Sequence, residues 1–194
     1  MAIYTRDELQ ELGFSNVGEN VKISKKASIY GASRISIGDN VRIDDFCVLS
    51  AGEGGITLGS HIHLAVYSCL IGAGHIQIGD FCNISSRVAI YSSSDDYSGA
   101  FLTNPTIDSE FTNVEHAPVT LAKHVIVGSG SVILPGVTLE QGVAIGALSL
   151  VNRSLAAWGV YAGQPAKYIK AREDGLLAHE KSFLSAPLTK SSFL

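Results

Sequence analysis

The sequence predicts an all-β solenoid, a three-sided coil of short stacked parallel strands. Three observations predict it: apolar residues recur six apart, the phase of that beat slips about every twenty residues, and Gly, Asn or Asp stand where corners would fall. In "VGSGSVILPGVTLEQGVAIGALSLV" the residues Val127, Ile133, Leu139, Ile145 and Val151 lie six apart, and Ser131, Val137, Val143 and Ser149 follow the first four by four places. A period of six fits neither the 3.6 of a helix nor the alternation of a single strand. The same beat runs upstream through Val17, Ile23, Ile29 and Ile35, then Ile37, Ile43 and Leu49, then Leu58, Leu64 and Leu70, then Ile78, Ile84 and Ile90. It restarts at Ile35, Ile56, Ile76 and Val119. Three hexads and a small corner insertion close one turn. Stacked turns then satisfy each other's backbone groups, and the narrow interior fills with Ile, Leu and Val, with Ser131, Cys47 and Cys82 as small inward partners.

Residues 1–16 form an N-terminal cap. In "TRDELQEL" Thr5 and Glu8 have capping-box spacing and Leu9 and Leu12 offer an apolar face, so a short helix should close the first coil and cover its edge. Residues 17–158 carry the solenoid, broken by a projecting loop at 92–118. That loop is 27 residues with no repeat, too long for a corner, and long loops in compact domains are usually functional or disordered. Its content is not that of a linker: Tyr97, Phe101 and Phe111 can anchor it, and Asp95, Asp96, Asn104, Asn113, Glu115 and His116 offer polar recognition. Residues 159–194 hold the exit from the coil, a C-terminal helix and a tail whose Pro187 and serines suggest weak order.

The chain has 194 residues, 46% apolar and 16% charged, enough for a sizeable core. A net charge of −4 without a Lys/Arg cluster argues against nucleic-acid binding. No apolar run is long enough to span a bilayer, and Arg6, Asp7, Glu8 and Glu11 occupy the place of a signal peptide's apolar stretch, so the expectation is a cytoplasmic protein with no membrane insertion. Cys47, Cys69 and Cys82 are odd in number and lack CxxC spacing, and read as buried reduced thiols.

The hexads, from about Val17 to Val151, resemble those of the hexapeptide-repeat acyltransferases. The following "GVYAGQPAKYIKAR" is similar to the segment with which that family leaves the coil and enters a C-terminal helix; together these cover about four fifths of the chain. The resemblance implies a left-handed parallel β-helix, acyl-CoA as co-substrate and a homotrimer with acceptor sites at the interfaces. General connection rules favour right-handed crossovers, so handedness rests on the resemblance alone. A structural or ice-binding coil needs ranks of Thr-x-Thr, whereas Thr57 and Thr120 stand alone. A metal hydratase of the γ-carbonic anhydrase type needs three His on neighbouring coils. Here only His61 and His63 are close. No metal is expected.

For CoA-dependent transfer, a pantetheine arm suits the groove between coils where Gly130, Gly146, Ala147 and Ser149 leave backbone amides reachable. Ala162 and Gly163 allow close approach at its end, Pro165 fixes the exit, and Lys167, with Lys170 or Arg172, could meet phosphate. Many sugar O-acetyltransferases of the family place a base histidine in their loop. This loop opens on Asp95 and Asp96 instead, and its only histidine, His116, stands at the far end. In this the run "SSSDDYSG…TNPT…TNVEHAPVTLAKHVIVGSGSVILPGVTL" resembles the nucleotide-linked amino-sugar N-acetyltransferases. The resemblance implies acetyl-CoA and a nucleotide-linked amino sugar as substrates, in surface-polysaccharide synthesis. An uncharged amine needs orientation more than a base. Asp95 or Asp96 is therefore the candidate for holding it, with His116 the candidate base if the acceptor is a hydroxyl. His63 and Asn83, read as corner residues looking outward, and Tyr97 and Asn104 in the loop are the candidate acceptor contacts; Arg42 could meet phosphate, and His124 is expected to be solvated.

Overall fold

The computed structural model describes residues 2–186. Three parallel sheets form the sides of a prism of about seven turns. The first sheet stacks Asn16–Val17, Ile35–Ile37, Ile56–Leu58, Ile76–Ile78, Val119–Leu121 and Thr138–Leu139. The second runs from Lys22–Ile23 through Arg42–Ile43, His63–Leu64, Asn83–Ile84, Ile126–Val127 and Ala144–Ile145 to Gly159–Ala162, and the third from Ser28–Tyr30 through Val48–Ala51, Cys69–Gly72, Ala89–Tyr91 and Val132–Ile133 to Leu150–Val151.

The register follows the hexad beat. Ile35 pairs with Ile56, Ile56 with Ile76 and Ile76 with Val119, so each slip of phase in the sequence opens a strand of the first sheet. Ile23, Ile43, Leu64, Ile84 and Val127 stack inward in the second sheet, and Leu49, Leu70, Ile90 and Ile133 in the third, all of them fully buried. Cys47, Cys82 and Ser131 are buried with them, as small inward partners.

The chain turns from the first sheet into the second at Asn20, Asn40, His61, Phe81 and His124, all with positive φ, and from the second into the third at Phe46, Tyr67, Arg87, Gly130 and Leu148, also with positive φ. Asn tolerates this left-handed region; bulky residues adopt it only where neighbouring structure holds them. These two edges are called the first and the second below. The third edge, from the third sheet back to the first, releases the loop.

Helix α1 (Arg6–Glu11) carries the capping box of Thr5 and Glu8, with Leu9 buried against the first coil. At the other end the exit differs from the sequence reading. Gly159–Ala162 is followed not directly by a helix but by an antiparallel strand, Lys167–Ala171, that closes the second sheet, and helix α2 (Leu176–Ser185) comes after it. Tyr161 and Tyr168 pack edge to face across this hairpin, a β-forming pair whose pull outweighs the short helical pattern. The tail from Pro187 lies outside the described residues.

Candidate functional site

The three outer faces have different chemistry, and register sets it. One side chain per coil points outward from each strand centre. The first sheet presents Asn16, Ser36, Thr57, Gln77, Thr120 and Thr138, a polar file suited to water. The third, whose strands are longer, presents two rows: Ser28, Val48, Cys69, Ala89, Val132 and Leu150, apolar above Ser28, and beside it Tyr30, Ser50, Ile71 and Tyr91, so the face is mostly apolar. The second changes along its length, from Lys22, Arg42, His63 and Asn83 to Ile126, Ala144 and Val160.

His63 and Asn83 are therefore not corner residues. They pair side by side on a flat strand, since the corner falls two residues earlier at His61 and Phe81. His63 Nε2 lies 2.8 Å from Asp44 Oδ2, and Arg42 Nε donates to Asp44 Oδ1 at 2.7 Å, so one carboxylate, only 7% exposed, fixes two groups of the outward file. This face and α2 enclose a groove of about 660 Å3.

Beside the second edge, the place two beyond each outward residue is held by Ala65, Ser85, Gly128, Gly146 and Ala162 in successive coils. A Cβ on Gly128 would come within 2.5 Å of the Ala147 amide nitrogen, and one on Gly146 within 2.9 Å of Ala162 Cβ, so the coils are at contact distance here and only small residues fit. The result is a strip along this edge from which no large side chain projects at these places, called the trough below. Ala147 and Ala162 touch it in the upper coils, Gly163 and Pro165 follow where the chain leaves the stack, and Gly130 sits at the neighbouring corner against Leu148. Lys167 is exposed on the closing strand opposite Ala162.

Several expectations fail in detail. Ser149 does not line the trough: its side chain is buried, donating to Gly146 O at 2.7 Å and accepting from Gly163 N at 3.1 Å. The amides of Gly130 and Gly146 donate to Ser86 O and Tyr161 O, so with that of Gly163 they hold the stack together and are not open to a ligand. Arg172 folds back, Nη1 donating to the carbonyls of His124 and Gly142 at 2.8 and 3.0 Å. His124 is not solvated. It is buried, with Nε2 2.8 Å from Glu180 Oε2, because α2 returns over that corner. Glu180 also accepts from Lys123, and these two bonds, Lys123's first, lower its carboxyl pKa.

The loop is closed at its base by a two-residue antiparallel pairing of Ser93–Ser94 with Glu115–His116. Ser93 Oγ accepts from Ala73 N at 2.7 Å and lies 2.8 Å from His116 Nδ1; in the tautomer whose Nδ1–H donates to that oxygen, Nε2 keeps its lone pair and can accept a proton. Asp95 and Asp96 open the arm. Asp96 accepts from the Ser98 hydroxyl at 2.8 Å, the first cause of its lowered pKa. Asn104 is turned into its own bend, with Oδ1 taking the amide and hydroxyl of Thr106, so its side chain is spent on the loop. Tyr97 is 93% exposed, and Phe101 and Phe111 are also exposed; these rings do not anchor the loop within its own chain. Asp95, Asp96 and His116 stand at the third edge, His63 and Asn83 on the second face, and the trough at the second edge. One chain alone does not bring them together. Among the described residues no three His, Cys, Asp or Glu side chains gather to hold a metal ion.

A parallel prism with a small-residue trough along one edge and a long arm on another defines the hexapeptide-repeat acyltransferase scaffold. No family model matches the chain. Individual relatives do: it is 55% identical over 183 residues, 94% of this chain and 95% of the relative, to a dTDP-4-amino-4,6-dideoxy-D-glucose acyltransferase of Escherichia coli. The N-acyltransferase AntD from Bacillus cereus, solved with dTDP and 3-hydroxybutyryl-CoA, superposes with a TM-score of 0.91 at 48% identity over 95% of this chain and 97% of that one. A maltose O-acetyltransferase from Clostridium difficile 630, at 22% identity and a TM-score of 0.58 over 87% of this chain and 74% of that one, shares the fold alone. The chain thus belongs to the left-handed β-helix acyltransferases, among the nucleotide-linked amino-sugar N-acyltransferases.

Proposed function

We propose that the chain moves an acetyl group from acetyl-CoA to the amine of a nucleotide-linked amino-deoxy sugar, as a cytoplasmic homotrimer serving surface-polysaccharide synthesis. The observation that carries this is the file of small residues along the second edge, where a thin acyl carrier can lie against the coils, beside the polar half of the second face. The relatives support this reading: a variant of AntD with a serine replaced by Ala has been solved with dTDP-4-amino-4,6-dideoxyglucose and coenzyme A together, and variants with an aspartate replaced by Ala or by Asn have been solved with dTDP and coenzyme A.

The apolar file of the third sheet and the exposed rings of the loop support the trimer. Flat apolar faces of this extent mark contact surfaces. Three copies turning their third faces to a common axis would set each loop, leaving the third edge, against the second edge of the next copy. Asp95 and Asp96 would then reach the trough and the neighbouring Asn83. The three unpaired cysteines fit a reducing compartment.

In this arrangement a carboxylate of Asp95 or Asp96 holds the uncharged amine by a charge-assisted hydrogen bond with its lone pair toward the thioester carbon, where orientation is worth roughly 7–11 kcal/mol. The N–C bond forms, the C–S bond breaks as the tetrahedral intermediate collapses, and the amine proton passes to the departing thiolate. A hydroxyl acceptor would need a base, and the Ser93-oriented His116 would be that base. Single substitutions separate the two. With an amine acceptor, Asp95→Asn or Asp96→Asn lowers transfer on the order of a hundredfold and His116→Ala leaves most of it. Full activity in both Asp variants with loss in His116→Ala would establish the O-acetyltransferase instead.

A further inference from the structure

The second edge changes character along its length. Its upper corners are Gly130 and Leu148, beside the trough, and its lower ones are Phe46, Tyr67 and Arg87. Tyr67 and Arg87 hang on the coils beneath them, Tyr67 N donating to Asp45 O at 3.2 Å and Arg87 N to Val66 O at 3.0 Å. Phe46, Tyr67 and Arg87 hold positive φ of 62, 63 and 60°. Bulky side chains in that region carry a strain of order 1 kcal/mol or more.

The strained corners build an exposed stack. Phe46 and Tyr67 lie face to face, 4.9 Å apart at 13°, and each is about half exposed. A cation closes the stack at either end: Lys26 Nζ lies 5.3 Å from the centre of the Phe46 ring, and the Arg87 guanidinium 5.7 Å from that of Tyr67. The two ends differ. Lys26 is already paired with Asp45, 3.3 Å away. Arg87 is exposed and rests on its ring, paired with no carboxylate among the described residues, so its planar fork of donors is open to one.

The loop has the complementary chemistry. Residues 92–118 hold five carboxylates, Asp95, Asp96, Asp108, Glu110 and Glu115, and neither Lys nor Arg. Its rings, Tyr97, Phe101 and Phe111, are exposed like those of the stack. The heights match as well. Rotation about an axis parallel to the prism neither raises nor lowers a coil, and Arg87 stands in the same coil as Ser92, where the loop begins. In a ring of three copies that turn their third faces inward, the second edge of one copy adjoins the third edge of the next. Arg87 is then level with the root of its neighbour's loop.

We propose that the stack of Phe46 and Tyr67 seats the loop of the neighbouring copy, and that Arg87 pairs there with the partner's Asp96. Asp96 suits this role because its carboxylate is tied to its own loop, accepting from Ser98 Oγ at 2.8 Å, so a hold on Asp96 is a hold on the whole loop. Asp95 is the other half of the device. It engages its own chain through the backbone oxygen, which accepts from Ser94 Oγ at 3.2 Å, and its carboxylate is left for the acceptor amine. Arg87 is thus a positioning residue: it touches no substrate and acts through the loop that carries Asp95. This inference rests on the reading above that the chain is a trimer.

The test is a double-mutant cycle on the full-length protein, read as kcat/KM for the amine. Arg87→Met and Asp96→Asn should each lower it about tenfold or more, and the two together no further than one alone, because the second substitution removes a partner already lost. Arg87→Lys should keep most of the transfer. A purely structural Arg87 would give losses that multiply. Multiplying losses, or full transfer in Arg87→Met, overturn the proposal. Sedimentation of the unsubstituted protein separates this from the reading it rests on: a single chain overturns the trimer and the seat together, whereas a trimer with multiplying losses overturns the seat alone. The cofactor is the other candidate for the exposed rings. Calorimetric titration of Phe46→Ala and Tyr67→Ala with CoA should find its affinity unchanged; binding weakened tenfold in an intact trimer would give the rings to CoA and overturn the proposal.

Discussion

Cys47 and Cys82 report how tightly the interior of the prism is shut. Burial, the first cause for each, pushes their thiols from an ordinary 9.0 up to about 11 and about 12. A rise of two units lowers the reactive thiolate about a hundredfold at neutral pH. The folded protein should therefore leave both cysteines untouched by Ellman's reagent, with all three reacting in denaturant; rapid native labelling of Cys82 would mean that the coils part there. The inward position of both was legible from the six-residue period. The same period, carried eighteen residues on from Ser131, also places Ser149 inside, yet smallness alone suggested a ligand contact. His124 was illegible for a different reason. Its partner Glu180 lies 56 residues away, and no local spacing carries that information.

Elements that repeat were readable, and those that do not were harder. Strand starts at Ile35, Ile56, Ile76 and Val119 follow directly from the slipped beat. The closing hairpin was missed because "GVYAGQPAKYIKAR" has no hexad and its pairing is antiparallel. A C-terminal helix was anticipated but not its docking, since its contacts lie on other coils: Glu180 with Lys123 and His124, Phe183 with His61 and Phe81. Those contacts make its docking depend on acid. The lowered pKa of Glu180, from an ordinary 4.5, means that its contribution is whole above pH 4.5 and is lost as pH falls through the lower value of the docked helix. Hydrogen exchange across residues 176–185 should quicken below that point while the solenoid stays protected. In Glu180→Gln it should be quick at every pH; an exchange rate indifferent to both acid and substitution would show that the ion pairs do not hold α2.

At the scale of the whole molecule, a polar, a mixed and a mostly apolar side give the prism a built-in orientation. Sedimentation should find a trimer, and Val132→Glu, which sets a charge in the apolar file of the third sheet, should yield a species of one third the mass. Because loop and trough lie on different edges, mixed trimers offer a sharper check. A chain carrying Asp95→Asn with Asp96→Asn and a chain carrying Gly146→Val, each inactive alone, should recover transfer when refolded together; no recovery would place each site within one chain. The stacking itself has a last consequence. Neighbouring rungs lie about 4.8 Å apart, and each face keeps its outward chemistry only if whole turns are gained or lost. The scaffold is therefore a ruler graduated in coils: a duplicated turn between the polar half of the second face and the upper trough would offset the two by one graduation, whereas a single inserted residue would rotate every side chain beyond it off its face. Relatives adapted to longer or shorter substrates should differ in length by about twenty residues at a time in the solenoid, and by any number in the loop.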